Sequence, residues 1–252
     1  MKKLIIFLSI YDEFLNSALK MKQQFNLDVD ILYIEDFHKL QYDKNIQDDS
    51  LIYFLCNGEK VVDIVKKLKD RHLFIFNKAY WLANYTKFEV QKELKNNSIC
   101  VPGLFTINDF NVLKFPIFCK ENIHAGITFQ VYNKNTLQRF FKKFDKENFY
   151  FEESVNANGI KSKEFKLYYI NGKVFDKNNE NNITEEIVKI CKVIQTCLNN
   201  IEVFSVDIIK TEKQIFIIDV NPASGFYLSD LGRNELEKYI NAIIYKNKEG
   251  DY

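Results

Sequence analysis

The chain of 252 residues has no block of like charge. Lys and Arg total 35 against 34 Asp and Glu, so it lacks the basic face that a nucleic acid or an anionic membrane would need, and neither is expected as a partner. The first apolar run, Leu4 to Leu8, is too short for a signal segment or a membrane span. The three histidines, at 38, 72 and 124, show no zinc spacing. No G-x-G-x-x-G follows the first strand, which argues against a dinucleotide-binding unit. The absence of a Ser-His-Asp or Cys-His order fits chemistry without a covalent enzyme intermediate. The five cysteines, at 56, 100, 119, 191 and 197, are odd in number and sit mostly in apolar runs. They read as buried reduced thiols of a cytosolic (cytoplasmic) protein rather than a disulfide framework. No internal repeat or low-complexity linker occurs.

What is present suits one compact unit or two to three small subdomains, since 46% of the residues are hydrophobic. Residues 1–76 alternate strand and helix. Strands are expected at Leu4–Leu8, Val29–Ile34, Leu51–Leu55 and Leu73–Phe76, with helices at Asp12–Gln24 and Lys60–Lys69, predicting a small parallel sheet flanked by helices. Residues 77–148 hold a helix from Thr86 to Lys95 with Thr86 as N-cap, strands Phe115–Lys120 and Ile127–Tyr132, and a helix capped by Asn135. The stripe Leu137, Phe140, Phe141 and Phe144 of that last helix belongs to a core, not to a cofactor box. Residues 149–252 begin with strand Phe149–Val155. A hairpin, Glu164–Ile170 with Lys173–Phe175, turns at Asn171-Gly172, and Thr184 caps a further helix. A second hairpin and a helix from Asn234 to about Tyr245 close the chain. The fold class is α/β (α+β).

The second hairpin, FSVDIIKTEKQIFIIDVN, carries three oxygen-bearing side chains in an apolar frame: Asp207, Asp219 and Asn221. Strands are depleted in Asp and Asn. Residues two apart face the same way, so Asp219 and Asn221 share a side, and a turn near Lys213 sets Asp207 opposite them. Two carboxylates and an amide oxygen suit magnesium, which takes one or two carboxylates and completes its shell with water and phosphate. Three lysines fall where charge is otherwise hard to explain: Lys87 opens a helix, Lys120 ends the strand FPIFCK, and Lys166 lies within EFKLYYI. A lone strand lysine commonly snorkels to solvent, so the argument rests on the set. Glu152-Glu153 ends the strand FYFEESV, and Glu164 precedes Lys166 by two, sharing its face.

Taken in order, these pieces resemble the ATP-grasp superfamily, most closely its peptide- and glutamate-ligase branch, over roughly Asn77 to the C-terminus. The run Asn84-Tyr85-Thr86-Lys87, the helix after it and Ile99-Cys100-Val101-Pro102 are similar to that branch's lysine-bearing helix entry and its link. The resemblance implies two α+β subdomains, 77–148 and 149–252, with Mg-ATP bound between them, after a Rossmann-like pre-ATP domain at 1–76. It implies that Lys87 and Lys120 meet the nucleotide phosphates and that Ile123–Thr128, with Gly126, is a phosphate lid. Glu152, Glu153, Ser154 and Val155 form the hinge strand at adenine, and Glu164 and Lys166 are the acid–basic strand pair. Asp207, Asp219 and Asn221 hold Mg2+, with Pro222 to Gly225 as the turn after them.

The implied reaction is ATP-dependent ligation of a small-molecule or peptide carboxylate to an amine through an acyl phosphate. Lys166 and Arg233, one of three arginines, are candidates to stabilise the developing charge. The acceptor is expected at the loops Ser9–Asp12 and Cys56–Glu59, and a homodimer is implied by the family alone. Three features depart from the pattern: the lid has one glycine, Asp219 stands for the commoner glutamate, and Lys166 stands for an arginine, a point charge in place of a fork. A small-molecule phosphotransferase and a non-catalytic nucleotide-binding protein are the alternative readings.

Overall fold

The computed structural model describes residues 3–10, 14–37, 39, 46–71, 73–124, 126–155, 162–176, 183–223 and 230–249. The start of the expected first helix, most of the loop 176–182, and Ser224-Gly225 of the expected turn lie outside these residues. The chain divides into two compact units. One comprises 1–84, 167–205 and 221–252; the other comprises 85–166 and 206–220.

In the first unit, β1 (Lys3–Leu8), β2 (Asp28–Tyr33), β3 (Leu51–Phe54) and β4 (Phe74–Ile75) form a parallel sheet in the order β2-β1-β3-β4. All four residues of β3 are buried, as expected of a parallel strand covered on both faces. Helices α1 (Leu15–Gln24) and α2 (Glu59–Leu68) connect the strands. The α2 stripe Val61, Val62, Ile64, Val65 and Leu68 is buried as its 3.6-residue spacing requires. A short helix that the periodicity did not reveal, α3 (Lys78–Ala83), lies between left-handed Asn77 and Asn84, the residue type that tolerates that conformation.

The same unit holds β10 (Lys173–Asp176), the part of β9 (Ser162–Ile170) from Leu167 onward, α6 (Glu185–Cys197) and α7 (Asp230–Glu249). Asn171 and Gly172 have φ of 42° and 93°, the type I′ geometry that their sequence predicted. Thr184 caps α6 by accepting from Ile187 N. Leu236, Ile240, Ile243 and Ile244 of α7 share a core with Leu4, Ile6 and Leu8 of β1. The closing helix starts four residues before the expected Asn234, and Asp230 places an acid in its first turn, where the helix dipole favours one.

The second unit contains α4 (Lys87–Asn96) and the antiparallel sheet β5-β8-β6-β7, built from β5 (Leu104–Phe105), β6 (Ile117–Glu121), β7 (Thr128–Val131) and β8 (Phe149–Glu153). Thr86 caps α4 as expected, in a full capping box with Glu89. Helix α5 (Lys134–Phe140) is capped by Asn133 rather than by Asn135: Asn133 Oδ1 accepts from Thr136 N at 2.9 Å. Of its expected stripe, Leu137, Phe140 and Phe141 join the core of this sheet with Phe149 and Phe151, whereas Phe144 lies beyond the helix end and is 41% exposed, stacked on Phe140. β11 (Val203–Thr211) and β12 (Ile215–Asn221) complete a sheet of order β10-β9-β11-β12. Their turn closes through Thr211 N donating to the Gln214 carbonyl.

Candidate functional site

The second unit gathers most of the charged residues that the sequence singled out. Thr86 fixes the start of α4, which places Lys87 in its first turn with Nζ 3.7 Å from Asp219 Oδ1. Lys120, near the end of β6, reaches Glu152 of the adjacent strand β8 at 2.6 Å and donates to the Ile218 carbonyl, one residue before Asp219, at 2.9 Å. Glu152 also accepts from the Tyr150 hydroxyl at 3.1 Å. Lys166 on β9 pairs with Asp207 on β11 at 3.0 Å. Exposed Glu164 lies two residues before Lys166, and its field reaches Asp207.

Burial dominates the electrostatics. It holds the Asp207 carboxyl above the usual range; Lys166 opposes this, while Asp219 and Glu164 add repulsion. Burial likewise raises Glu152 against the pull of Lys120, and it raises the Tyr150 hydroxyl beside Glu152. His124 lies in the same field. Burial lowers its imidazole, Asp219 raises it, Lys87 lowers it further, and a hydrogen bond to the Tyr85 backbone raises it. His124 lies within the expected lid and Tyr150 within the strand FYFEESV, but sequence spacing does not show the charges that surround them.

Asp207 and Asp219 therefore lie near enough to repel each other on neighbouring strands. Among the described residues no three His, Cys, Asp or Glu side chains gather as a complete metal cage. Two hard carboxylates completed by phosphate oxygens and water are the donor set that magnesium accepts, so these residues suit that ion. Asn221 falls in the first unit. Its Oδ1 accepts from Ala223 N at 2.9 Å and from Asn57 Nδ2 at 3.5 Å.

The expected hinge has a specific hydrogen-bond assignment. Glu153 N donates to the Gly103 carbonyl at 2.9 Å, so that amide belongs to the β5–β8 region. Ser154 is buried and its Oγ accepts from Gln130 Nε2 at 3.3 Å. Val155 follows the end of β8 in a turn. Gly126 sits where a Cβ would come 2.8 Å from Glu121 Cβ and 2.9 Å from the Ile123 carbonyl, so only glycine fits. Arg233, in the first unit, is 3% exposed. It donates through Nε to Gln24 Oε1 of α1 at 2.9 Å and pairs with Asp230, contacts that join α7 to α1.

In the first unit, the neighbours of β1 lie on opposite sides, β2 on one and β3 on the other. The strand ends there form a topological switch point, where α/β sheets receive ligands. Glu35, just past β2, organises it by accepting from Ser9 Oγ at 2.8 Å and Ile10 N at 3.1 Å, with Lys60 at 3.9 Å. These bonds hold the Glu35 carboxyl below its usual value despite burial, which is the largest single influence and acts the other way. Among the described residues no helix is long and apolar enough to cross a membrane.

No protein-family model and no curated protein matches the sequence. Solved structures do match. D-alanine–D-alanine ligase from Bacillus anthracis aligns over 99% of this chain and 100% of its own, with a TM-score of 0.74 at 14% identity. A RimK domain ATP-grasp protein from Sphaerobacter thermophilus aligns over 92% and 98%, at 0.65 and 9%. The ATP-grasp ligase PsnB, complexed with precursor peptide PsnA2 and AMPPNP, aligns over 96% of both chains, at 0.65 and 11%. Together with the sheet orders and the strand-borne lysines, these matches show that the chain has the ATP-grasp fold.

Proposed function

We propose that this chain is an ATP-dependent carboxylate–amine ligase. The observation that carries the reading is one compact unit in which Lys87, Lys120 and Lys166 each lie within ion-pair distance of a carboxylate, two of them Asp207 and Asp219. Phosphoryl transfer is catalysed by positioning and charge neutralisation more than by side-chain nucleophiles, and this set supplies both. Lys87 and Lys120 bind the nucleotide phosphates. Asp207 and Asp219 would hold Mg2+, with Asn221 the third donor of the resembled pattern, and the ion would supply charge neutralisation. Lys166 faces the charge that develops on the transferred group. Arg233, the second charge-stabilising candidate of the sequence, is instead engaged by Gln24 and Asp230 within the first unit.

The substrate carboxylate attacks the γ-phosphorus, and the bond to ADP breaks, giving an acyl phosphate. The amine then attacks the acyl carbon, inorganic phosphate leaves with the bonding pair, and the amine proton passes to solvent. An oxyanion forms transiently on the acyl oxygen, where a cation stabilises it. The acceptor loops, residues 9–10 and 56–59, are not basic, which disfavours a polyanion. The precursor peptide bound to PsnB supports a peptide as one substrate class, beside amino acids and sugar acids. A homodimer is the assembly we assign, and the cytoplasm the compartment, on the family pattern and the reduced cysteines.

Phosphate release from ATP, measured with pools of candidate acids and amines, tests this function. The product is expected at the summed mass of acid and amine less one water. A product heavier than one substrate by a phosphate would replace the ligase with a phosphotransferase. Full turnover by Asp219→Ala would overturn the site assignment.

A further inference from the structure

Helix α4 starts with more than its own cap. The first turn of a helix leaves backbone N–H groups without intrahelical acceptors. Thr86 Oγ1 accepts from Glu89 N at 3.3 Å, and Glu89 Oε2 accepts in return from Thr86 N at 2.8 Å. That box leaves Phe88 N. Its acceptor is Asn122 Oδ1, at 2.8 Å and 34 residues along the chain. Asn122 is the first residue after β6. Its own N–H donates to the Asn148 carbonyl at 2.8 Å, which continues the β6–β8 ladder one step past the pair Glu121 and Phe149. The sheet therefore fixes the backbone of Asn122, and the side chain pins the start of α4.

Phe88 is held from a second side. Its ring packs on Tyr150 with centroids 5.5 Å apart. Tyr150 is the strand partner of Lys120 and donates to Glu152, which pairs with Lys120. Between the cap Thr86 and this clamped Phe88 stands Lys87, its side chain 13% exposed and its Nζ 3.7 Å from Asp219 Oδ1. We infer that Asn122 is a positioning residue for Lys87: by holding the Phe88 amide it fixes the first turn of α4, and with it Lys87, against the end of β6, two residues from Lys120. The inference rests on the nucleotide-binding reading above, in which both lysines meet phosphate, and adds to it a residue that acts through another. A lysine ammonium is a point charge on a flexible four-carbon stem. A loosened helix start therefore weakens its charge-assisted bond to a phosphate oxygen without abolishing it. A neutral amide accepts the Phe88 proton without adding a negative charge near those phosphates.

A double-mutant cycle, read by calorimetric titration of the full chain with Mg-ATP, tests the inference. Lys87→Ala is expected to weaken binding roughly tenfold to a hundredfold, the loss of one charge-assisted hydrogen bond, and Asn122→Ala roughly fivefold to twentyfold. The double variant should bind no more weakly than Lys87→Ala, because Asn122 then has nothing left to position. Asn122→Asp keeps the acceptor oxygen and should recover most of the affinity. If Asn122→Ala does not fold, Asn122→Ser, too short to reach the Phe88 amide but still polar, takes its place in the cycle; unfolding of both overturns the inference. Unchanged affinity in Asn122→Ala overturns it while leaving the ligase reading intact. An equal loss with and without Lys87 overturns it in favour of a purely structural asparagine, as does Asn122→Asp binding as weakly as Asn122→Ala. Full affinity in Lys87→Ala, or no binding by the unchanged chain, overturns the nucleotide-binding reading itself, and the inference with it.

Discussion

Lys120 and Glu152 face each other across adjacent strands at 2.6 Å, with side chains 10% and 2% exposed. Two charges so far from water are costly unless their remaining bonds are satisfied. Here they are: Lys120 also donates to the Ile218 carbonyl and Glu152 accepts from Tyr150. The pair thus ties β6, β8 and β12 together just before Asp219.

Lys120→Met should therefore destabilise the fold by about 3–5 kcal/mol near neutral pH, because it leaves a buried carboxylate without its partner. Glu152 already sits above its ordinary 4.5 through burial, and losing Lys120 raises it further. A raised carboxyl stabilises the fold below its unfolded value, and that stability is lost as pH rises through the folded value. The variant should accordingly recover much of its loss at pH 5 and show its largest deficit at pH 8, as read by denaturant melts across that range.

Asn77 is a structural hub of the first unit. Its Oδ1 accepts from Glu202 N and Val203 N, and its Nδ2 donates to the carbonyls of Val203 and Pro222. It also occupies a left-handed conformation with φ of 57°. Asn77→Ala removes four hydrogen bonds and leaves buried backbone groups unpaired, so the loss should be about 2–4 kcal/mol in urea melts. A loss under about 0.5 kcal/mol, the range of ordinary surface changes, would show that the hub is dispensable.

Much of this was legible in the sequence because the signals were local. Alternation of strand and helix gave the parallel sheet, Asn171-Gly172 gave its turn, and Thr86 and Thr184 gave their helices. The acids of the last hairpin stood out because strands disfavour Asp and Asn. Three kinds of feature were not legible. Helix α3 is too short to show a period, and Asn133 and Asn135 are equivalent caps until packing chooses between them. Contacts distant in sequence, such as Asn77 with Val203 or Lys166 with Asp207, leave no spacing to read. The Lys120–Glu152 pair is hidden for the same reason, since the two residues lie on separate strands far apart in the chain.

Glu202 provides a pH test away from the candidate site. Burial raises its carboxyl above the ordinary 4.5, although hydrogen bonds from the Asn77 and Glu202 amides pull it down. Because the folded value lies above the unfolded one, its contribution favours the fold below about pH 4.5 and declines as pH rises. Glu202→Gln keeps an oxygen to accept from Asn77 N and has nothing to ionise. Its stability should fall less steeply between pH 4.5 and 7 and should equal or exceed that of the unchanged chain at pH 7.

Asp207 and Asp219 make the sharpest functional test. Asp207→Asn relieves a carboxylate that burial, Asp219 and Glu164 disfavour more than Lys166 favours it, so the ligand-free chain should melt no lower than before. The same variant, and Asp219→Asn, should lose roughly a hundredfold to a thousandfold in turnover, the scale of removing one preorganised electrostatic group. Stabilisation of the fold by Mg-ATP should vanish in both, since a ligand that binds the native state raises stability by mass action. Retained stabilisation in both variants would remove these acids from the nucleotide site.

The turn before β7 yields the last prediction: Glu121 N donates to the Ile127 carbonyl at 2.8 Å and Ile127 N donates to Glu121 Oε2 at 3.0 Å. A methyl group at Gly126 would meet Glu121 Cβ at 2.8 Å and the Ile123 carbonyl at 2.9 Å, and neither the strand end nor the carbonyl can swing away as a flexible side-chain tip would. Gly126→Ala should cost about 1–3 kcal/mol by overpacking. It should also open the bonds of Ile127 with Glu121 and of Gly126 with Ile123, so the Gly126 and Ile127 amides should exchange with solvent faster than in the unchanged chain. If these bonds belonged instead to a mobile lid, those amides would exchange rapidly in both proteins when nucleotide is absent. Slow exchange in the unchanged chain and fast exchange in Gly126→Ala is the pattern that a fixed turn demands.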